Sequence, residues 1–395
     1  MAQVKRFKGL NNVSDPLRLG LEWLVRADNV DISDTGRVQR RDGYQLAATG
    51  SYSGAYATRD YSRMFVVDAG QLKLINADLS TVVLATGLTN APMHWAEINR
   101  EVFYSNGPDK GIIGADNTVR RWAWPVPQSP DLFAGEGTLP TGLYQVACTL
   151  LLPDGRETGA SDSVAVQLNA PGLLRLENIP LSEGLRTLVY VAPADSEQFQ
   201  FAFEAYTTAA SWMGGPDELG ANLTTLQSDP PPAEGVQVAI FAGRMYLMQY
   251  IQATDTTVVW FSDPLGFHLF DHEKNFIAVR GQGVLLAANA AGVLIGTTTQ
   301  IMGFNGEVLS LLAEYGAVPG WSAAIDDNED GAQPLYFWSR RGLCTAFPFQ
   351  NLTARQVSVP PGVSAGGAVI STKGARRYVV ALQQGGAAFN PRKST

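Results

Sequence analysis

An all-β body of repeated antiparallel units, entered once by a smaller β-sandwich, is the fold class this chain predicts. Three observations predict it. Apolar hairpins recur along 395 residues with no amphipathic helical stretch between them. Most of them are spaced at about 40–50 residues, the interval of a four-stranded propeller blade. The segment between the second and third hairpins instead carries short alternating strands with a turn every 8–12 residues or so.

The hairpins run in order. Arg63–Asp68 turns through Ala69-Gly70 into Gln71–Ile75, and Glu101–Ser105 turns through Asn106-Gly107 into Gly111–Ile113. Arg244–Met248 leads to Thr257–Ser262, Gly292–Gly296 to Gln300–Phe304, Pro334–Trp338 to Gly342–Ala346, and Arg377–Ala381 to Ala387–Phe389. They start near positions 64, 102, 244, 293, 335 and 378. A lone hairpin cannot bury its apolar face, so recurrence argues for a closed ring, a β-propeller of about six blades. The one long gap, about 140 residues, fits one interval plus an insertion of about 90–100, the size of an immunoglobulin/fibronectin-like sandwich. Its strands read at 141–150, 163–168, 173–176, 187–191 and 199–203, with Asp154-Gly155 as a turn. Pro125, Pro127 and Pro130 mark the exit to it, and Pro230-Pro231-Pro232 the return. The expected divisions are an N-terminal assembly arm at 1–44, first propeller blades at 45–130, the inserted sandwich at 131–229 and the remaining blades at 230–395.

Composition sets limits. Hydrophobic residues are 45% and charged residues 17%, which describes a folded chain with a real core. The 40 glycines and 22 prolines suit many tight turns. Formal net charge is −8 and no basic stretch matches a duplex-gripping surface. An acidic wall that DNA slides past without adhesion is compatible with that charge. Cys148 and Cys344 are far apart, in apolar strand-like context, and read as buried free thiols. The N-terminus lacks the apolar core of a secretion signal. The longest apolar region, 283–296, is too short to span a bilayer, so no membrane span is expected.

Catalytic and metal chemistry finds little footing. His268 and His272 stand four residues apart but in loop or strand context, without a third ligand in reach. Asp326, Asn328, Asp330 and Gly331 imitate the start of a calcium loop, yet the position that needs a bidentate Glu is Phe337. No nucleophile elbow, phosphate loop or paired carboxylates stand out. The expectation is a protein that is not an enzyme and has no cofactor and no metal.

The leader is long, turn-studded and of mixed polarity. It contains Phe7-Lys8-Gly9-Leu10-Asn11-Asn12, Ala27-Asp28-Asn29-Val30-Asp31-Ile32 and Gly36-Arg37-Val38-Gln39-Arg40-Arg41-Asp42-Gly43-Tyr44. Nearer the C-terminus stand Gly292-Val293-Leu294-Ile295-Gly296, Leu309-Ser310-Leu311, Glu314–Gly320 and Trp338-Ser339-Arg340-Arg341-Gly342. With these stretches the chain resembles the propeller-bearing tail structural proteins of short-tailed bacteriophages, of nozzle or hub type. The resemblance implies a virion component, made in the host cytoplasm and resident in the tail. It implies a ring homo-oligomer, a hexamer, below the portal and adaptor proteins and in contact with tail fibres or tip proteins. Such a ring retains packaged DNA and conducts it at ejection without tight binding. The leader is then expected to be an assembly arm, with Phe7, Leu10, Trp23, Arg40, Arg41 and Tyr44 at the interface. A leader strand that closes the propeller is the alternative role for this segment. For the whole chain, the alternatives are a glycan- or receptor-binding propeller of a phage tail or bacterial surface, and a propeller glycan hydrolase.

Overall fold

The computed structural model describes residues 4, 6–33, 35–41, 43, 45–46, 48–326, 333–372 and 375–385. It is all-β, and its helical elements among the described residues are three short 3-10 turns. Six antiparallel sheets follow one another along the chain. The first contains Tyr52–Ala57, Met64–Asp68, Gln71–Ile75 and Thr81–Ala85, each strand paired with the next. The second repeats the pattern with His94–Ile98, Glu101–Ser105, Lys110–Ile113 and Val119–Arg120. The third starts with Gln237–Phe241, Arg244–Ile251 and Thr256–Asp263 and is completed by Gly266–Phe270 and Phe276–Arg280, both paired to Thr256–Asp263. The fourth contains Gly283–Asn289, Gly292–Thr297, Ile301–Phe304 and Leu309–Ala313. The fifth contains Ala324–Ile325, Leu335–Ser339, Gly342–Thr345 and Gln350–Asn351. The sixth pairs Ser364–Thr372 with Ala375–Gln383.

Each sheet packs on the next because neighbouring strand residues point to opposite faces. In the second sheet Val102 and Tyr104 join Phe65, Val67 and Leu72 of the first. Phe103 between them joins Met245 and Leu247 of the third. Tyr246 and Val259 then meet Val293 and Ile295 of the fourth sheet, and Leu294 and Ile301 meet Phe337 and Cys344 of the fifth. Trp338 packs with Ala365 of the sixth. Burial on both faces is why these strands are apolar almost without interruption rather than alternating.

Five predicted hairpins occur as predicted. The one at 377–381 differs, because its strand pairs upstream with Ser364–Thr372, and the expected partner at 387–389 lies outside the described residues.

Between the second and third sheets stand a three-stranded sheet (Asp131–Leu139, Gly172–Glu177, Ala210–Trp212) and a four-stranded one (Gly142–Leu151, Val164–Leu168, Arg186–Ala192, Gln200–Ala205). Leu174, Leu176 and Trp212 from one share a core with Tyr144, Val146, Cys148, Val189 and Val191 from the other. This segment is tied back by His268 Nε2 at 3.0 Å from the Glu157 carbonyl and by Arg156, which donates to the carbonyls of Trp122 and Arg121. His268 ends up in a strand and His272 outside it, so the two histidines do not share a helical face.

The leader makes two small pairings of its own. Gly9–Leu10 runs parallel to Trp23–Leu24, and Val30–Ile32 is antiparallel to Val38–Arg40. Among the described residues, no leader strand joins any of the six sheets.

Candidate functional site: a cavity among six sheets and a docked leader

The first strand of each of the six successive sheets has a partner on one side only. All six first strands line one cavity of about 330 Å³, through Ala55 to Ala57, Trp95 to Glu97, Val238 to Ile240, Ala287 and Ala288, Ala324 and Ile325, and Gly367 to Val369. Small side chains recur here because the strands converge. At one end His94 tilts against Trp321 with ring centroids 5.4 Å apart, although the two lie on the second sheet and just before the fifth. His94 is buried, its Nδ1 has no partner, and burial pushes the imidazole down to about 4.

The other end is polar. Arg59, Glu97, Asn99, Asn289 and Gln333 surround an adjoining pocket of about 550 Å³. Glu97 Oε2 accepts from the Tyr56 hydroxyl at 3.1 Å and from the Arg59 amide at 2.9 Å. Burial, reinforced by the Glu97 charge, holds the Tyr56 phenol above its usual range. Arg59 sits in a turn laced by Asp60, whose Oδ1 accepts from Thr58 Oγ1 at 2.7 Å and from the Ser62 amide at 3.0 Å. Those hydrogen bonds, the one from Thr58 first, hold the Asp60 carboxyl down to about 2. Glu97 is the one carboxylate among the described residues lining this cavity.

The leader residues expected at an interface fall into two groups. Phe7 donates its amide to the Gly36 carbonyl at 2.9 Å, Leu10 is in register with Leu24, and Gly9 is in register with Trp23. These three sites hold the leader to itself. Arg41 Nε reaches Asp31 Oδ1 at 3.2 Å, and Asp31 Oδ2 accepts from Arg377 at 2.9 Å. Burial pushes the Asp31 carboxyl up, but the hydrogen bonds from Arg377 and Arg41 outweigh it and leave the group below its ordinary value. Arg40 is exposed at the end of its strand, and Tyr44 lies outside the described residues, as do 327–332 of the calcium-like loop. Sequence reasoning passed over Arg59, Tyr61 and Glu97. The available signal was the repeated alanine in the first strand of successive sheets.

Both cysteines are buried and free, and burial pushes Cys148 up to about 12. Among the described residues no group of three metal-ligating side chains occurs, and no helix is long and apolar enough to cross a membrane.

No protein-family model matches the chain, and no curated protein matches it. Similar solved structures include hydrazine synthase of Kuenenia stuttgartiensis, at 10% identity over 82% of this chain and 93% of that one, with a TM-score of 0.36. Virginiamycin B lyase of Staphylococcus aureus is similar at 9% identity over 82% of this chain and 88% of that one, with a TM-score of 0.33. AztD of Citrobacter koseri is similar at 12% identity over 78% and 85% of the two chains, with a TM-score of 0.28. Likenesses at this level carry no argument about chemistry.

Proposed function

We propose that this protein is a virion structural subunit, assembled as a hexameric ring in the tail of a short-tailed phage, where it retains and conducts packaged DNA. In this reading the six sheets are the blades of a propeller and the segment from 131 to 229 is an inserted immunoglobulin/fibronectin-like sandwich. The proposal draws on the leader and C-terminal stretches that resemble the nozzle or hub family. The observation that carries it is the leader's outward face. The leader is anchored to its own body through Asn12, Ser358, Asp31 and Arg377, yet it leaves Leu17 94% and Leu21 66% exposed. An anchored arm that presents leucines to solvent suits a neighbouring subunit that covers them.

The conduit in this reading lies between subunits. A cavity of about 330 Å³ admits a small ligand, not a duplex whose major groove alone is about 12 Å wide. A net charge of −8 per chain favours passage over adhesion, since phosphate and carboxylate repel. Negative-stain microscopy and native mass spectrometry of the purified protein, with gold labelling of particles that carry it, test the reading. Rings with a central hole, and label at the tail tip, are expected. A Leu17→Asp, Leu21→Asp double variant should stay folded and stop assembling. A lone globule at every concentration, with no label on tails, overturns the proposal.

A further inference from the structure

We propose that the polar mouth of the cavity binds one hydroxyl-rich pyranose ring, stacked on Tyr61 and hydrogen-bonded to Arg59 and Glu97. This rests on the cavity alone and is independent of ring assembly. Tyr61 lines the cavity yet is 78% exposed, an aromatic face without cover. Its backbone sits at φ +54°, in the left-handed region that bulky side chains avoid. The turn that imposes this conformation is fixed: the Tyr61 amide donates to the Thr58 carbonyl at 2.8 Å, and Ser62 Oγ donates to Asp60 Oδ1 at 2.8 Å. The aromatic ring is therefore presented on a rigid support at the mouth.

The polar groups beside it select the ligand chemistry. Among the described residues the Arg59 guanidinium makes no hydrogen bond, and Glu97 uses only Oε2, which leaves Oε1 open. One of these groups only donates and the other only accepts. A carboxylate ligand would satisfy Arg59 and be repelled by Glu97, and an ammonium ligand the reverse. A hydroxyl both donates and accepts, so a ring bearing several can serve both at once. The apolar face of the same ring suits the tyrosine, and about 330 Å³ falls within the range of small-molecule sites.

Saturation-transfer NMR on the full chain with the methyl pyranosides of glucose, galactose, mannose and N-acetylglucosamine tests this. At least one should bind with a Kd in the millimolar range. Tyr61→Asn, which tolerates the same backbone conformation, and Arg59→Ala should each weaken it about tenfold. Tyr206→Ala, an equally exposed tyrosine on the inserted segment, should leave it unchanged. Equal binding of the same sugar at the end of an oligosaccharide assigns the mouth to glycan chain ends, and binding of the glycoside alone assigns it to free sugar. No transfer to any pyranoside, binding that survives both mouth variants, or preference for acetate or ethylammonium overturns the proposal. Arg59→Ala removes an exposed side chain with no hydrogen bond to lose, so this variant remains a readable test if Tyr61→Asn misfolds.

Discussion

Asn12 and Ser358 exchange two hydrogen bonds of 2.8 Å, the Asn12 amide donating to the Ser358 carbonyl and the Ser358 amide donating to Asn12 Oδ1. The side-chain amide thus pairs with a backbone peptide as a strand residue would. A third bond, from the Asn12 backbone N–H to the Gln356 carbonyl at 2.9 Å, fixes the register. With the Asp31–Arg377 pair, these contacts dock the leader on the C-terminal part of the chain.

Replacing that side chain should therefore loosen the leader without touching the sheets. Asn12→Ala removes both side-chain bonds to residue 358. The expected cost is about 2 kcal/mol, local to the leader and the segment around 358. Hydrogen exchange should accelerate in residues 6–41 and 353–360 and stay unchanged in the strand at 101–105. Asn12→Asp should be no better, since it keeps the acceptor but sets a carboxylate against the Ser358 carbonyl. Unchanged exchange in Asn12→Ala would show that the clamp holds nothing.

His94, packed against the cavity-lining Trp321, gives the fold a pH dependence. Its folded value, near 4, lies below the ordinary 6.5 because burial disfavours the imidazolium. Between those values the unfolded chain binds the proton and the folded chain does not. Stability from this group is fully present above pH 6.5 and declines as pH falls toward 4. The full loss is about 3 kcal/mol. Urea titrations at pH 7 and pH 4.5 should show this decline in the parent protein, and His94→Gln should show a smaller one. An identical decline in His94→Gln would assign the acid sensitivity to other groups.

Much of the fold was legible because of how the sheets pack. Runs such as Val102-Phe103-Tyr104 bury alternate residues against different neighbours, so every position is apolar and the run stands out. Ser364–Thr372 was missed as the partner of the last strand because Gly366-Gly367 and the serines at 364 and 371 interrupt its short apolar run. Asp131–Leu139 was missed for a similar reason, with most of its residues exposed or half-buried. The two-residue strands at Gly9–Leu10 and Trp23–Leu24 are shorter than any period that could announce them. The cavity escaped for a different reason: six separate sheets line it, and no spacing along the chain brings Glu97 near Ala288 or Gly367. Paired carboxylates are a local pattern to look for, whereas a single carboxylate at a convergence of strands is not.

The leader's own fold turns on Gly36. It is buried at φ +78°, and its carbonyl receives the Phe7 amide. A Cβ there would lie 2.6 Å from the Phe7 carbonyl oxygen and 2.9 Å from the Phe7 nitrogen, both backbone atoms that cannot swing away. Gly36→Ala therefore combines a left-handed backbone cost with a steric clash at a bond that links the two leader pairings. A local loss of about 2 kcal/mol is expected, which converts to roughly 30-fold faster exchange of the Phe7 and Ser33 amides. Because Phe7, Leu10 and Trp23 are held by this bond and the adjacent parallel pairing, the same variant should expose them to limited proteolysis. The sheets should melt unchanged, since no leader strand joins them among the described residues. If the melting temperature of the whole protein fell with the leader, the leader would be part of the same cooperative unit rather than an arm docked on it.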